Sequence, residues 1–230
     1  MDMSINQINS DERIPIEQHF RVSAGPGAGR TYWLVNHIKN VLHQSERLGK
    51  TRKIACITYT NVAVETILKR LDASADRVEV STIHSFLYKH IVKPYAPFIA
   101  DEYDLNVQEM DGHDDHIVSF SKVSDWIKAD YRSLNYLFSD NILTASHLEG
   151  LRWTLDESDL KIKITQRKGN YTVEMKKGQK EIPFISEGEQ DKLLAYKKLY
   201  WQDGIIHHDD VLFFSYQLIQ KFPFILQVLK

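Results

Sequence analysis

The sequence predicts an α/β fold in which helices cover both faces of a parallel sheet. Strand and helix signals alternate between residues 20 and 90, as is typical of parallel strands joined by crossover helices. A glycine-rich segment, Ala24 to Thr31, lies where a predicted strand meets a predicted helix. Near residue 95 the pattern changes, because Pro94 and Pro97 interrupt the chain. This change indicates a second region inserted into the first.

Apolar and β-branched runs predict the strands of the first region, and apolar residues three and four apart predict its helices. In chain order these elements are a strand at Phe20 to Ala24, a helix at Thr31 to Leu48, a strand at Lys53 to Tyr59, a helix at Asn61 to Leu71 and a strand at Val78 to Thr82. The crossover connections of such an arrangement make the sheet parallel.

The inserted region is predicted to be mainly helical with one β-hairpin. Polar and apolar residues alternate on either side of Gln166 to Asn170, which predicts a hairpin with Gly169 in its turn. The predicted elements are helices at Val118 to Asp130 and Tyr131 to Asn141, strands at Lys161 to Thr165 and Tyr171 to Met175, and helices at Glu189 to Trp201 and Asp209 to Phe222. We assign residues 95–200 to an accessory subdomain and residues 1–94 and 201–230 to the main domain.

Composition narrows the class of protein. The 230 residues are 43% apolar with a formal charge of −2, so a core can form and any nucleic-acid contact depends on a local surface. Cys56 is the single cysteine, which excludes an internal disulfide and suits a reducing cytoplasm; we expect it to be a small core residue. No run of the sequence is long and apolar enough to predict a membrane span.

The glycine-rich segment is typical of a loop that binds the phosphates of ATP. Its small residues let backbone N–H groups curl around the anion, at the positive end of the following helix. These residues are Ala24, Gly25, Pro26, Gly27, Ala28 and Gly29. Thr31 occupies the position whose hydroxyl ligates Mg²⁺. Arg30 stands where such loops carry lysine, and because its planar fork differs from an ammonium, we expect it to impair hydrolysis more than binding.

Two further segments end predicted parallel strands, at the sheet edge where open α/β folds place their ligands. They read T-Y-T-N-V-A from Thr58 and S-T-I-H-S-F from Ser81. Together with the phosphate loop, this set resembles the superfamily 1 DNA helicases of the UvrD/Rep/PcrA type. The segment from Gly204 to Leu212 is more loosely similar to the D-F-D-D-L-L stretch of that family. The resemblance implies a P-loop NTPase domain of the RecA-like kind.

The resemblance also implies that both segments lie under single-stranded DNA. Tyr59 offers a stacking face for a base, and polar side chains of the same segments could donate to phosphates. The candidate phosphate contacts are Thr58, Thr60, Asn61, His84 and Ser85. The alternative is structural: Thr60 and Asn61 cap the helix that follows, and His84 satisfies a buried backbone group.

Two less specific sites complete the prediction. Tyr32 could stack on adenine, because neither Gln7 nor Gln18 matches the family's adenine-side glutamine. The hairpin carries a local cluster of positive charge that could contact duplex DNA at a junction, or could equally be a solvated strand face. The residues assigned to this contact are Lys161, Lys163, Arg167 and Lys168.

The predicted function is the ATP- and single-stranded-DNA-binding part of an ATP-dependent DNA helicase in repair, recombination or phage defence. Its partners would be DNA, a second motor domain and, as a further candidate, a nuclease subunit. The chain alone should be inactive, because the family's acidic Mg²⁺-binding pair does not occur in it. One alternative is a degenerate module that senses nucleotide or DNA. Another is a metal-dependent hydrolase that uses residues 113–116 with 207–210.

Overall fold

The structure, a computed structural model, describes residues 7–115, 120–129, 151–155, 162–168, 171–174 and 190–229. The chain divides into two compact units, Met1–Ile83 and His84–Lys230. The predicted domain boundaries near residues 95 and 200 remain predictions. Across the described residues, no helix has the length and apolar character needed to cross a membrane.

The first unit contains a parallel strand pair with two helices. Its elements are α1 (Arg30–Gln44), β1 (Ile54–Thr58), α2 (Asn61–Leu71), a 3-10 segment (Asp72–Arg77) and β2 (Val78–Thr82). The two strands pair in parallel from Ile54 opposite Val78 to Thr58 opposite Thr82. The predicted helices and the predicted second and third strands are therefore confirmed, with α1 ending four residues earlier than expected.

An apolar core joins these elements. It consists of Val35 and Ile38 from α1, Cys56 from β1, Ile67 and Leu71 from α2, and Val78 from β2. Cys56 is buried as predicted, and burial raises the pKa of its thiol. A raised pKa keeps the thiol protonated and unreactive, so Cys56 acts as a core residue.

The predicted strand at Phe20 to Ala24 is wrong. The segment forms no strand, and Phe20 and Val22 are 48% and 37% exposed. Instead, the Phe20 ring contacts Trp33 and His37 on α1 edge-on, at centroid distances of 5.7 and 5.0 Å. A strand needs a neighbour to satisfy its backbone groups. In the described part of the first unit, the sheet has two strands and neither pairs with this segment.

The second unit begins with short helical segments and continues with longer elements. Its elements are α3 (Ile83–Leu87, from the last residue of the first unit), a π-helical segment (Tyr88–Val92), α4 (Lys93–Tyr95), a 3-10 segment (Ala96–Phe98), α5 (Ala100–Tyr103), α6 (Phe120–Ala129), β3 (Leu151–Leu155), β4 (Ile162–Lys168), β5 (Tyr171–Glu174), α7 (Gln190–Gln202), α8 (His208–Lys221) and α9 (Ile225–Val228).

The predicted hairpin is confirmed as β4 and β5, which pair antiparallel from Thr165 opposite Glu174 to Lys168 opposite Tyr171. A third antiparallel strand, β3, pairs with β4 and was not predicted. The predicted helices at 118–130, 189–201 and 209–222 correspond to α6, α7 and α8. Gly169 and the predicted helix at Tyr131 to Asn141 lie outside the described residues.

The core of the second unit is rich in aromatic side chains. Trp201, Phe213 and Phe214 are at most 1% exposed, and they pack with residues of the short helical segments. Lys197 of α7 is buried beside Asp210 of α8, with its Nζ 3.0 Å from the carboxylate Oδ1. This ion pair connects α7 with α8, so it positions the first turn of α8.

Candidate functional site

The predicted phosphate loop is a turn that leads directly into α1. Gly27 and Gly29 have φ angles of 76° and 79°, a left-handed conformation that residues with a side chain rarely adopt. The Ala28 N–H donates to the Gly25 carbonyl at 3.3 Å, and the Gly29 carbonyl accepts from Trp33 N–H at 2.9 Å. Gly27 and Gly29 thus provide the turn that the chain needs to enter α1, and their contact with phosphate remains a prediction.

The N-terminus of α1 is open to an anion. Gly29 supplies no capping side chain, no other side chain of the described residues caps this end, and its first turn contains no acidic residue. The first N–H groups of a helix lack partners within the helix and carry the positive end of its dipole. An uncapped end behind two left-handed glycines therefore suits a phosphate group.

The residues predicted to contact nucleotide and Mg²⁺ lie in the first turn of α1. Arg30 and Thr31 are the first two residues of α1, with Arg30 exposed and Thr31 half-buried. Tyr32 is 49% exposed. The Thr31 hydroxyl belongs to the hard oxygen class that Mg²⁺ prefers, so its chemistry fits the predicted metal role.

A cleft of about 550 Å³ runs along α1. One wall is the segment Asp11 to Arg13, and the other is the face of α1 from Trp33 to Gln44. The Trp33 Nε1 donates to the Glu12 carbonyl at 3.0 Å, and the Trp33 and His37 rings stack at a centroid distance of 5.0 Å. Sequence reasoning missed this cleft, because its two walls come from separate segments of the chain.

The segment after β1 has one capping residue and one exposed ring. Thr60 Oγ1 accepts from the Ala63 N–H at 3.2 Å, so the structural alternative is correct for Thr60, and Asn61 starts α2. Thr58 Oγ1 donates to the Thr60 carbonyl at 3.1 Å. Tyr59 is 92% exposed, which leaves its ring accessible for stacking.

The other strand-end segment carries His84 and Ser85 on α3. Ser85 is exposed, while His84 is half-buried beside two further histidines. Its ring centroid lies 4.6 Å from that of His208 and 6.2 Å from that of His113. Sequence reasoning had not connected His84 with either of them, because 29 or more positions separate them along the chain.

Of the basic residues assigned to the hairpin, Lys163, Arg167 and Lys168 lie on β4, where Arg167 pairs with Thr172 and Lys168 with Tyr171. Their contact with duplex DNA remains a prediction. Lys161 lies outside the described residues.

The two segments of the proposed metal hydrolase do meet. Asp114 and His207 form a parallel β-bridge, and the His208 N–H donates to the Asp114 carbonyl at 2.8 Å. Within the described ranges, however, no group of three histidine, cysteine, aspartate or glutamate side chains is arranged to hold a metal ion. Asp209 and Asp210 instead contact Lys197. The hydrolase hypothesis therefore gains no support.

The model of the UvrD/REP helicase N-terminal domain matches residues 5–230. The chain is also similar to the Gabija protein GajB of Bacillus cereus (strain HuB5-5), with 25% identity over 230 residues, which cover 90% of this chain and 33% of that protein. The chain thus spans about a third of the length of this curated relative. Because the family match extends over nearly the whole sequence, the chain belongs to the UvrD/REP helicase family, as its N-terminal domain.

Proposed function

We propose that this chain is the ATP- and single-stranded-DNA-binding part of an ATP-dependent DNA helicase or translocase. The observation that carries the proposal is the uncapped N-terminus of α1 behind the left-handed Gly27 and Gly29. Backbone N–H groups there would hold the ATP phosphates, and Thr31 would ligate Mg²⁺. Bound nucleotide supplies the phosphoryl group, whose transfer depends on positioning and electrostatic stabilisation.

The nucleoside end of ATP has two candidate positions. Tyr32 is half-exposed next to Thr31 and offers a stacking face. The cleft beside α1 offers polar groups of Asp11 to Arg13. Its Trp33 ring is only 7% exposed and stacks on His37, so we favour Tyr32 for the base.

Single-stranded DNA would bind at the ends of the two parallel strands. Thr58 and Thr82 pair in register at the ends of β1 and β2, so both strand-end segments start from one sheet edge. Tyr59 would stack on a base, and the side chains of Thr58, Asn61, His84 and Ser85 would contact phosphates. The basic hairpin residues Lys163, Arg167 and Lys168 would meet duplex DNA.

The similarity to a Gabija protein supports phage defence as the pathway. In that setting the chain would act with a second motor domain, and a nuclease subunit would be a further partner. Repair and recombination remain alternatives that the family resemblance allows.

Equilibrium binding of a fluorescent ATP analogue tests the phosphate site. We expect the wild-type chain to bind in the presence of Mg²⁺ and Arg30→Ala to bind at least tenfold more weakly, because a charge-assisted contact contributes about 1.5–3 kcal/mol. Arg70→Ala removes an exposed arginine of α2 in the same unit and should bind as the wild type does. Equal affinity of the Arg30→Ala and Arg70→Ala chains would refute the assignment.

Arg30 also favours the second candidate, a degenerate module that binds nucleotide without turning it over. Lysine presents a compact charge that arginine does not reproduce. We therefore compare Arg30→Lys with the wild type in a full-length protein that carries this domain together with the family's acidic pair and second motor domain. A motor impaired only by Arg30 should gain DNA-stimulated ATP hydrolysis, whereas a degenerate module should show none in either form.

A further inference from the structure

Three histidine rings from separate segments of the second unit meet in one cluster, which we call the histidine triad. His84 comes from α3, His113 from the loop before α6, and His208 from the first turn of α8. Their ring centroids are 4.6 Å (His84 to His208), 4.9 Å (His113 to His208) and 6.2 Å (His84 to His113) apart. At these separations, protonated imidazoles would repel one another.

The main chain holds the triad in place. His208 donates its N–H to the Asp114 carbonyl, and the Asp114 N–H donates to the Ile206 carbonyl at 3.3 Å. The Tyr88 ring lies edge-on to His113 at 5.4 Å, and its hydroxyl accepts from the Gly112 N–H at 2.8 Å. The cluster is therefore built by tertiary contacts from four segments rather than by one mobile loop.

Ionisable neighbours face the triad from each of these segments. The Asp115 Oδ1 lies 3.8 Å from His208 Nδ1, and Asp114 adjoins His113 in the chain. His207, next to His208, packs its ring on Tyr200, and its Nδ1 lies 3.3 Å from Asp210 Oδ2. Asp115 favours protonation of His84 and Asp114 favours protonation of His113, whereas the neighbouring imidazoles oppose protonation of both.

Burial and repulsion by neighbouring imidazoles favour the neutral forms of His84 and His113. Burial lowers the pKa of His113 to about 4, with further lowering by His208 and His84. Burial and His208 also lower the pKa of His84. Within the described part of the chain, the buried Nδ1 of His113 makes no hydrogen bond. The side chain of His208 is 37% exposed, so the cluster opens to solvent on one side.

A phosphate group beside the rings would favour their protonated forms. An anion beside the rings offsets their repulsion and accepts their N–H groups, so it raises their affinity for protons. Reciprocally, protonation strengthens anion binding. We take this anion to be a backbone phosphate of single-stranded DNA, because His84 belongs to the segment after β2 that we assign to DNA binding.

We propose that the histidine triad is a phosphodiester-binding site for single-stranded DNA at which strand binding is coupled to proton uptake. The proposal rests on the proposed function and adds His113 and His208 to the DNA contact. The affinity of the chain for single-stranded DNA should therefore increase as the pH falls below neutrality.

The test measures the affinity of the full 230-residue chain for a fluorescent oligothymidylate between pH 5.5 and 8 at constant ionic strength. For each proton taken up, the affinity should rise by up to tenfold per pH unit. His113→Gln and His208→Gln should each flatten this dependence. His19→Gln, which changes an exposed histidine of the first unit, should retain the wild-type slope. Circular dichroism verifies that each variant is folded.

Calorimetry in two buffers of different ionisation enthalpy counts the protons directly, and we expect fewer for His113→Gln than for the wild type. An unchanged pH slope in both triad variants would overturn the triad's role and leave strand binding intact. Failure of the wild-type chain to bind the strand at any pH would overturn both proposals. Proton uptake with inorganic phosphate equal to that with the oligonucleotide would overturn the assignment to a nucleic-acid strand.

Discussion

Replacement of Lys197 by methionine should strongly destabilise the second unit. Lys197 and Asp210 are 1% and 0% exposed, and the Lys197 Nζ lies 3.0 Å from Asp210 Oδ1 and 2.5 Å from Asp209 Oδ2. Methionine has a similar shape but no charge, so the change leaves the Asp210 carboxylate buried without its cation. Loss of one partner of a buried ion pair costs about 3–5 kcal/mol.

The cost should depend on pH. In the wild type, burial opposes ionisation of Asp210, but Lys197 and His207 overcome it and lower the carboxyl pKa. Stability from this carboxylate is thus present above its unfolded pKa, about 3.9, and is lost as the pH falls through the native value. In Lys197→Met, burial dominates and raises the pKa of Asp210. The variant should therefore recover part of its deficit as the pH falls and Asp210 takes up a proton.

Urea unfolding followed by tryptophan fluorescence measures this effect, because Trp126, Trp153 and Trp201 all belong to the second unit. Lys198→Met is the matched control: its partner Asp104 is exposed and lies 3.3 Å away, so the change should cost no more than about 1 kcal/mol. Adding Asp210→Asn to Lys197→Met should lessen the loss at neutral pH. A deficit below about 1 kcal/mol for Lys197→Met would refute the reasoning.

Three further predictions concern the phosphate loop, the exposed ring and the buried histidine. Gly29→Ala should weaken binding of an ATP analogue about tenfold. The φ of 79° at this position strains a residue with a side chain by about 1–2 kcal/mol, and the alanine Cβ would lie 3.3 Å from Ser10 Cβ. Wild-type affinity of this variant would contradict the prediction. Tyr59→Ala should lower oligothymidylate affinity by about 1–3 kcal/mol and leave unfolding within about 0.5 kcal/mol of the wild type, since the ring is 92% exposed; a loss of stability without a loss of affinity would argue for a packing role. Burial lowers the pKa of His113 from 6.5 to about 4, so the unfolded chain binds more protons than the folded chain between these pH values. Acidification from pH 6.5 towards 4 should therefore destabilise the protein by about 1–2 kcal/mol after allowance for solvent screening. His113→Gln should lack this part of the acid sensitivity in urea titrations.

Local chemistry made much of the first unit predictable. Apolar spacing predicted α2 from Asn61 to Leu71 with the bounds that the structure has. The phosphate loop needed glycine at positions 27 and 29, and both adopt left-handed angles. In β4 and β5, alternation of polar and apolar residues predicted the pairing, because a period of two can bury one face of a sheet only in one register.

Contacts between distant positions required the tertiary structure. Phe20 to Ala24 has strand-forming residues, yet whether they form a strand depends on a pairing partner elsewhere, and Phe20 packs on α1 instead. Likewise, no local pattern connects His84, His113 and His208, or Lys197 with Asp210. The sequence by itself determined the motifs, their order and the family that they indicate, since these depend on neighbours along the chain. The tertiary structure alone decided which ionisable groups share a buried site, because burial and charge interaction depend on distance in space.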